Sequence, residues 1–128
     1  MGMVRKTQQR EILQRTIEGA GRPLSVPEIH TLAMREWPRL GIATVYREIK
    51  RLHEENAIIR VDIPGENAPR YEPVHGDHAH HHHHFKCETC GKVFDIHACA
   101  LPVEQILPTG FRHHSHEITI YGNCRNCH

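Results

Sequence analysis

The chain has 128 residues, 38% hydrophobic and 24% charged, with 14 histidines and 5 cysteines. A hydrophobic share this low excludes one large core and favours two small units, at least one held by metal. No apolar run approaches the ~20 residues that cross a bilayer, and no signal peptide is recognisable, so a soluble, cytoplasmic chain without a membrane partner is expected. The net charge is only +1, but residues 1–60 hold 11 Lys/Arg against 7 Asp/Glu and residues 61–128 hold 5 against 8. A basic amino-terminal half suits a polyanion such as nucleic acid.

In chain order, Thr7 to Gly19 reads as a helix, with Ile12, Leu13, Thr16, Ile17 and Ala20 at helical spacing. Ser25-Val26-Pro27-Glu28 is a capping box: Ser25 caps the next helix while Glu28 reaches back to the Ser25 N–H. That helix is expected to bury Ile29, Leu32 and Ala33 and to run to about Glu36, before Pro38. A third helix runs from Ile42 to about Asn56, with Val45, Ile49 and Leu52 inward and Tyr46, Arg47, Lys50 and Arg51 outward. Residues 57–63 read as a strand, Pro64-Gly65-Glu66-Asn67 as a turn, and Arg70-Tyr71-Glu72 as the returning strand. Three helices followed by a β-hairpin predict a winged helix-turn-helix over residues 1–73.

Residues 74–79 read as a linker, and a second unit spans 80–128. Its expected strands are His82–Lys86, Val93–Ile96 and Glu117–Tyr121, with a short helix from about Pro102 to Leu107. The fold class is therefore α+β, an amino-terminal winged helix followed by a small, zinc-stapled α/β unit.

Cys87-Glu88-Thr89-Cys90 and Cys124-Arg125-Asn126-Cys127 bracket this second unit. Each pair can grip one face of an ion, and two pairs complete the closed four-sulfur shell of a structural zinc site. A thioredoxin-like redox centre fits poorly without a βαβ pattern, and an odd cysteine, Cys99, argues against a disulfide scaffold. The run His80–His84 leads directly into Phe85-Lys86-Cys87. In a strand, His82 and His84 face one side and His81 and His83 the other, so one strand can feed two metal sites. Asp95 and Glu72 are candidate hard ligands, and His116, His97 and Cys99 are further partners. His30 and His53 read as ordinary helix residues, and His113 and His114 stay undecided.

A helix-turn-helix inserts the amino-terminal side chains of its recognition helix into the major groove. Here those are Thr44, Tyr46 and Arg47. Arg47 suits a guanine edge or a phosphate, and Tyr46 a thymine methyl or a phosphate. Arg5, Lys6 and Arg10 can reach the DNA backbone from the first helix.

The chain resembles the ferric uptake regulator (Fur) family of metal-sensing repressors. The matching residues are Thr7-Gln8-Gln9-Arg10, Ala43-Thr44-Val45-Tyr46-Arg47, Arg70-Tyr71-Glu72, His82 to Lys92, and Tyr121 to Cys127. The resemblance implies a homodimer whose carboxy-terminal domain dimerises, binding a double-stranded operator with an inverted, often A·T-rich repeat. It implies structural Zn²⁺ on Cys87, Cys90, Cys124 and Cys127. It also implies a regulatory site between the domains on Glu72, His82, His84 and Asp95, and a second site on His81, His83 and His116. Two positions depart from the family pattern. Arg22-Pro23-Leu24 stands where a regulatory histidine is common, and no acidic ligand stands at Pro102, leaving Glu104, His97 or Cys99 as substitutes.

The resulting expectation is a metal-dependent DNA-binding repressor of metal homeostasis genes, with regulatory Zn²⁺, Fe²⁺ or Mn²⁺. Histidine-rich sites suit zinc, and mixed His/carboxylate sites admit iron or manganese. Peroxide sensing is an alternative, since Asp95 stands where many iron sensors carry Glu. A His-rich metal buffer is another, though it leaves the basic recognition helix unexplained. No enzyme is expected: His-Glu-x-x-His is absent, and no deaminase-type His-x-Glu precedes the Cys pair.

Overall fold

The computed structural model describes residues 2–74, 83–97 and 101–128, with side chains from Thr7 onward. The chain divides into two compact units, Met1–Asp77 and His78–His128. The side chains of Arg5 and Lys6, and residues His81, His82 and Cys99, lie outside what is described.

The first unit contains α1 (Gly2–Ala20), β1 (Leu24–Ser25), α2 (Val26–Ala33), α3 (Ile42–Glu54), β2 (Ile58–Val61) and β3 (Arg70–Pro73). Its core is built by the expected helical stripes. Ile12, Leu13 and Ile17 of α1 pack with Ile29 and Ala33 of α2 and with Val45, Ile49 and Leu52 of α3, all buried. Helix α1 starts five residues before Thr7; its apolar period begins only at Ile12, so the sequence carries no mark of its first turns.

The capping box forms. Ser25 Oγ accepts from the Glu28 N–H at 3.3 Å, and Glu28 Oε1 accepts from the Ser25 N–H at 3.1 Å. Helix α2 ends at Ala33 rather than Glu36. The next N–H groups, of Arg35 and Glu36, bond back three residues to Leu32 and Ala33, a tighter turn than an α-helix. Pro38 then disfavours helical backbone at Trp37. Helix α3 closes with a Schellman motif. Asn56 takes φ 60°, its N–H bonds the His53 carbonyl, and the Ala57 N–H bonds the Leu52 carbonyl at 2.8 Å.

The wing is a three-stranded antiparallel sheet in the order β1-β3-β2. The hairpin pairs Arg60 with Tyr71 and Val61 with Arg70. The extra strand β1, not expected from sequence, pairs Leu24 with Tyr71 and Ser25 with Arg70. Two residues are too few for a period-2 pattern, and the partners are 45 and 47 positions away in the chain.

The second unit contains β4 (His83–Cys87), β5 (Val93–Ile96), α4 (Val103–Ile106) and β6 (Thr119–Gly122), with sheet order β5-β4-β6. Strand β4 pairs antiparallel with β5, setting His84 opposite Asp95. It pairs in parallel with β6, setting Cys87 opposite Gly122. A parallel pair requires a long crossover, and here that crossover carries α4. A Cβ on Gly122 would stand 3.3 Å from the tip of the Phe85 ring, a tight contact that the ring would have to give way to by a few tenths of an ångström. Among the described residues of this unit, the buried apolar side chains are Cys87 and Val93.

Candidate metal centres and nucleic-acid interface

The pairing of β4 with β5 and β6 brings both Cys-x-x-Cys pairs to one end of the sheet. Cys87 ends β4, Cys90 lies in the β4–β5 turn, and Cys124 and Cys127 follow β6. Their four Sγ atoms all lie within 4.8 Å of one another, and Cys90 and Cys124 are 3.9 Å apart. Sulfurs bound tetrahedrally to one zinc at ~2.3 Å stand about 3.8 Å apart. The donor set therefore fits a structural zinc.

Local backbone geometry prepares the site. The N–H groups of Cys90 and Cys124 point at Cys87 Sγ, at 3.5 and 3.3 Å. These bonds favour the thiolate and lower the Cys87 pKa to about 6 against the opposing effect of burial. Cys127 moves the other way, pushed up to about 12 by hydrogen bonding to Cys124, by burial and by the neighbouring sulfurs. Four sulfurs this close cannot all ionise on their own, which is the condition a divalent cation relieves.

The alternation expected for the histidine run holds at its two described members. His84 Nε2 stands 3.3 Å from Asp95 Oδ1, its cross-strand neighbour. On the other face His83, buried, stacks against His116, with ring centroids 5.0 Å apart. One strand thus presents an imidazole–carboxylate pair on one side and an imidazole pair on the other. Glu72 is a buried residue of β3 in the first unit, opposite Ile59. His97 follows β5 and is exposed, and Glu104 is exposed on α4.

His113, left undecided by the sequence, joins the second group. Its Nε2 is hydrogen-bonded to His116 Nδ1 at 2.8 Å. The available signal was the His-x-x-His spacing of 113 and 116. These residues lie on irregular backbone, where spacing does not say which side chains turn inward.

Arg22, at one of the two departures from the family pattern, is an ion-pair residue. Its guanidinium donates to Glu28 Oε2 at 2.7 Å, and Glu28 Oε1 also accepts from Arg70 at 3.0 Å. Arg70 in turn makes a two-pronged bond to Glu66, at 2.8 and 3.0 Å. Burial works against the charge on Glu28. The bonds from Arg22 and the Ser25 N–H, with the charges of Arg22 and Arg70, outweigh it and hold the carboxyl below its ordinary range.

The recognition helix α3 presents the expected surface. Tyr46 is 54% exposed and Arg47 is exposed, with the Arg47 guanidinium donating to Thr44 Oγ1 at 3.1 Å. Lys50 and Arg51 continue that face. Arg10, placed by the sequence reading among the backbone contacts, is ion-paired with Glu55 at the end of α3, and the pairing raises its pKa.

Residues 2–121 match the Ferric uptake regulator family. The chain belongs to that family. Two relatives are each 33% identical to it, both from Bacillus subtilis (strain 168). The Ferric uptake regulation protein aligns over 94% of this chain and 83% of its own length. The Peroxide operon regulator aligns over 97% and 84%. Among solved structures, a zinc-bound manganese uptake regulator superposes with a TM-score of 0.74 at 26% identity, over 91% of this chain and 87% of that one. The fold is thus the family's winged helix with a small α/β dimerisation domain carrying a cysteine cluster, and the chain is a metal-responsive transcriptional regulator of the Fur family. Fur regulators bind DNA and dimerise.

Proposed function

We propose that the chain is a homodimeric repressor whose operator affinity rises when a borderline divalent ion, zinc or iron, fills its histidine–carboxylate sites. Cys87, Cys90, Cys124 and Cys127 hold a structural zinc that keeps the dimerisation domain folded. His84 and Asp95 supply the regulatory ion's imidazole and carboxylate, with Glu72 and His82 added by the family resemblance. His83 and His116 serve the second site, with His81. Thr44, Tyr46 and Arg47 read an A·T-rich inverted repeat, while Arg5, Lys6 and Arg10 contact phosphates.

The observation that carries this reading is the separation of donor types along β4. Thiolates converge at one end of the strand, and imidazoles diverge to its two faces further back. A closed sulfur shell suits a permanent ion, while imidazole and carboxylate release theirs more readily. Because metal and DNA are coupled through one protein, each raises affinity for the other by the same factor. The test is a binding titration of the zinc-loaded dimer on duplexes selected from a random pool, with added Zn²⁺, Fe²⁺, Mn²⁺ or none. Operator affinity should rise at least tenfold with one ion, and equal affinity in every condition sinks the reading.

A peroxide-sensing reading has one observation in its favour, the carboxylate of Asp95 beside His84 in a chain 33% identical to a peroxide operon regulator. Loss of operator binding on treating the Fe²⁺-loaded protein, but not the Zn²⁺-loaded protein, with peroxide would select it.

A further inference from the structure

Three imidazoles stand in a row in the second unit, with His116 in the middle. Its ring centroid is 5.0 Å from that of His83 and 4.9 Å from that of His113. His113 is half-buried while the adjacent His114 is exposed, so the segment turns one of two neighbouring histidines inward. The contact between His113 Nε2 and His116 Nδ1 is 2.8 Å.

That distance separates two roles. Two nitrogens bound to the same tetrahedral zinc at ~2.0–2.1 Å stand about 3.3 Å apart. A nitrogen–nitrogen contact of about 2.7–3.2 Å is a hydrogen bond. A neutral imidazole has one ring nitrogen that donates and one that accepts, and the bond at one fixes what the other can do.

We propose that His113 is a positioning residue for the second metal site, accepting the Nδ1–H of His116 so that His116 turns Nε2 to the ion. That bond holds each ring in one tautomer. The inference rests on the reading of His83 and His116 as ligands. An outer partner of this kind orients a ligand ring and raises its basicity, and its loss lowers metal affinity by roughly 10–100-fold. His113→Ala removes the acceptor. His113→Gln offers an amide oxygen in its place.

The experiment is a Co²⁺ titration of the zinc-loaded dimer in an Asp95→Ala background, which disables the site on the opposite face of β4. Visible absorption reports both affinity and donor set. His113→Ala should weaken Co²⁺ binding by at least tenfold with the band positions unchanged. His113→Gln should restore affinity to within about threefold of the parent. Unchanged affinity in His113→Ala would overturn the inference. So would shifted bands in both variants, which would make His113 a ligand. Unchanged Co²⁺ binding in His116→Ala would instead overturn the second-site reading beneath it. Circular dichroism of each zinc-loaded variant checks that the fold is kept.

Discussion

The amino-terminal unit buries Leu13, Ile17, Ile29, Val45, Ile49 and Leu52 in one continuous core. The described residues of the carboxy-terminal unit bury Cys87 and Val93. The first unit can be held by hydrophobic burial, at about 1.5–3 kcal/mol for each fully buried aliphatic side chain. The second has little of that and has four converging thiols instead. Structural zinc contributes on the order of 10–16 kcal/mol of apparent binding free energy at neutral pH. The division has a functional logic. The unit that reads DNA needs a rigid helix whatever the metal supply, and the unit that binds metal can be built around it.

The comparison breaks most visibly at the cysteines. Cys87→Ser should abolish stoichiometric zinc binding and leave the second unit open to limited proteolysis, while the helical circular dichroism of the first unit persists. Loss of both together would mean the units do not stand apart energetically. Leu52→Ala, in the helical core, should lower the stability of the first unit by about 2–5 kcal/mol in urea and leave zinc content unchanged. Arg47→Ala should cost roughly 1–3 kcal/mol of operator affinity with no change in the urea midpoint, because the side chain is exposed and its bond to Thr44 lies within its own helix turn.

Smaller effects test how the first unit is fastened. The folded pKa of Glu28 lies below its unfolded value, so its contribution is complete above the ordinary carboxylate range and is lost as pH falls through the folded pKa. The urea midpoint of the first unit should therefore drop on acidification below about pH 4.3, and Glu28→Gln should flatten that dependence. An equal slope in wild type and variant would remove the Arg22–Glu28–Arg70 network from the account. Ser25→Ala, which deletes one half of the capping box, should cost about 1 kcal/mol in the same measurement.

The features legible in the sequence are those with a local period or a fixed spacing. The stripe Val45, Ile49, Leu52 gave the inward face of α3, Ser25 and Glu28 gave the start of α2, and the Cys-x-x-Cys pairs gave the sulfur cluster. What stayed hidden depends on contacts between distant residues. Strand β1 exists because Leu24 and Ser25 meet Tyr71 and Arg70. The parallel pairing of β4 with β6 has no signature in either strand. The ion pair of Arg10 with Glu55 joins residues 45 positions apart. The histidines divide the same way. His83 and His84 lie on a strand whose alternation assigns their faces, whereas His113 lies on irregular backbone that assigns none.

Amide hydrogen exchange on the intact protein, before and after a chelator strips the four-cysteine site, tests the central claim most directly. The account predicts that amides of β4, β5 and β6 lose protection while those of α1, α2 and α3 keep theirs. Retained protection in β4–β6 without metal, or equal loss in both units, would contradict it.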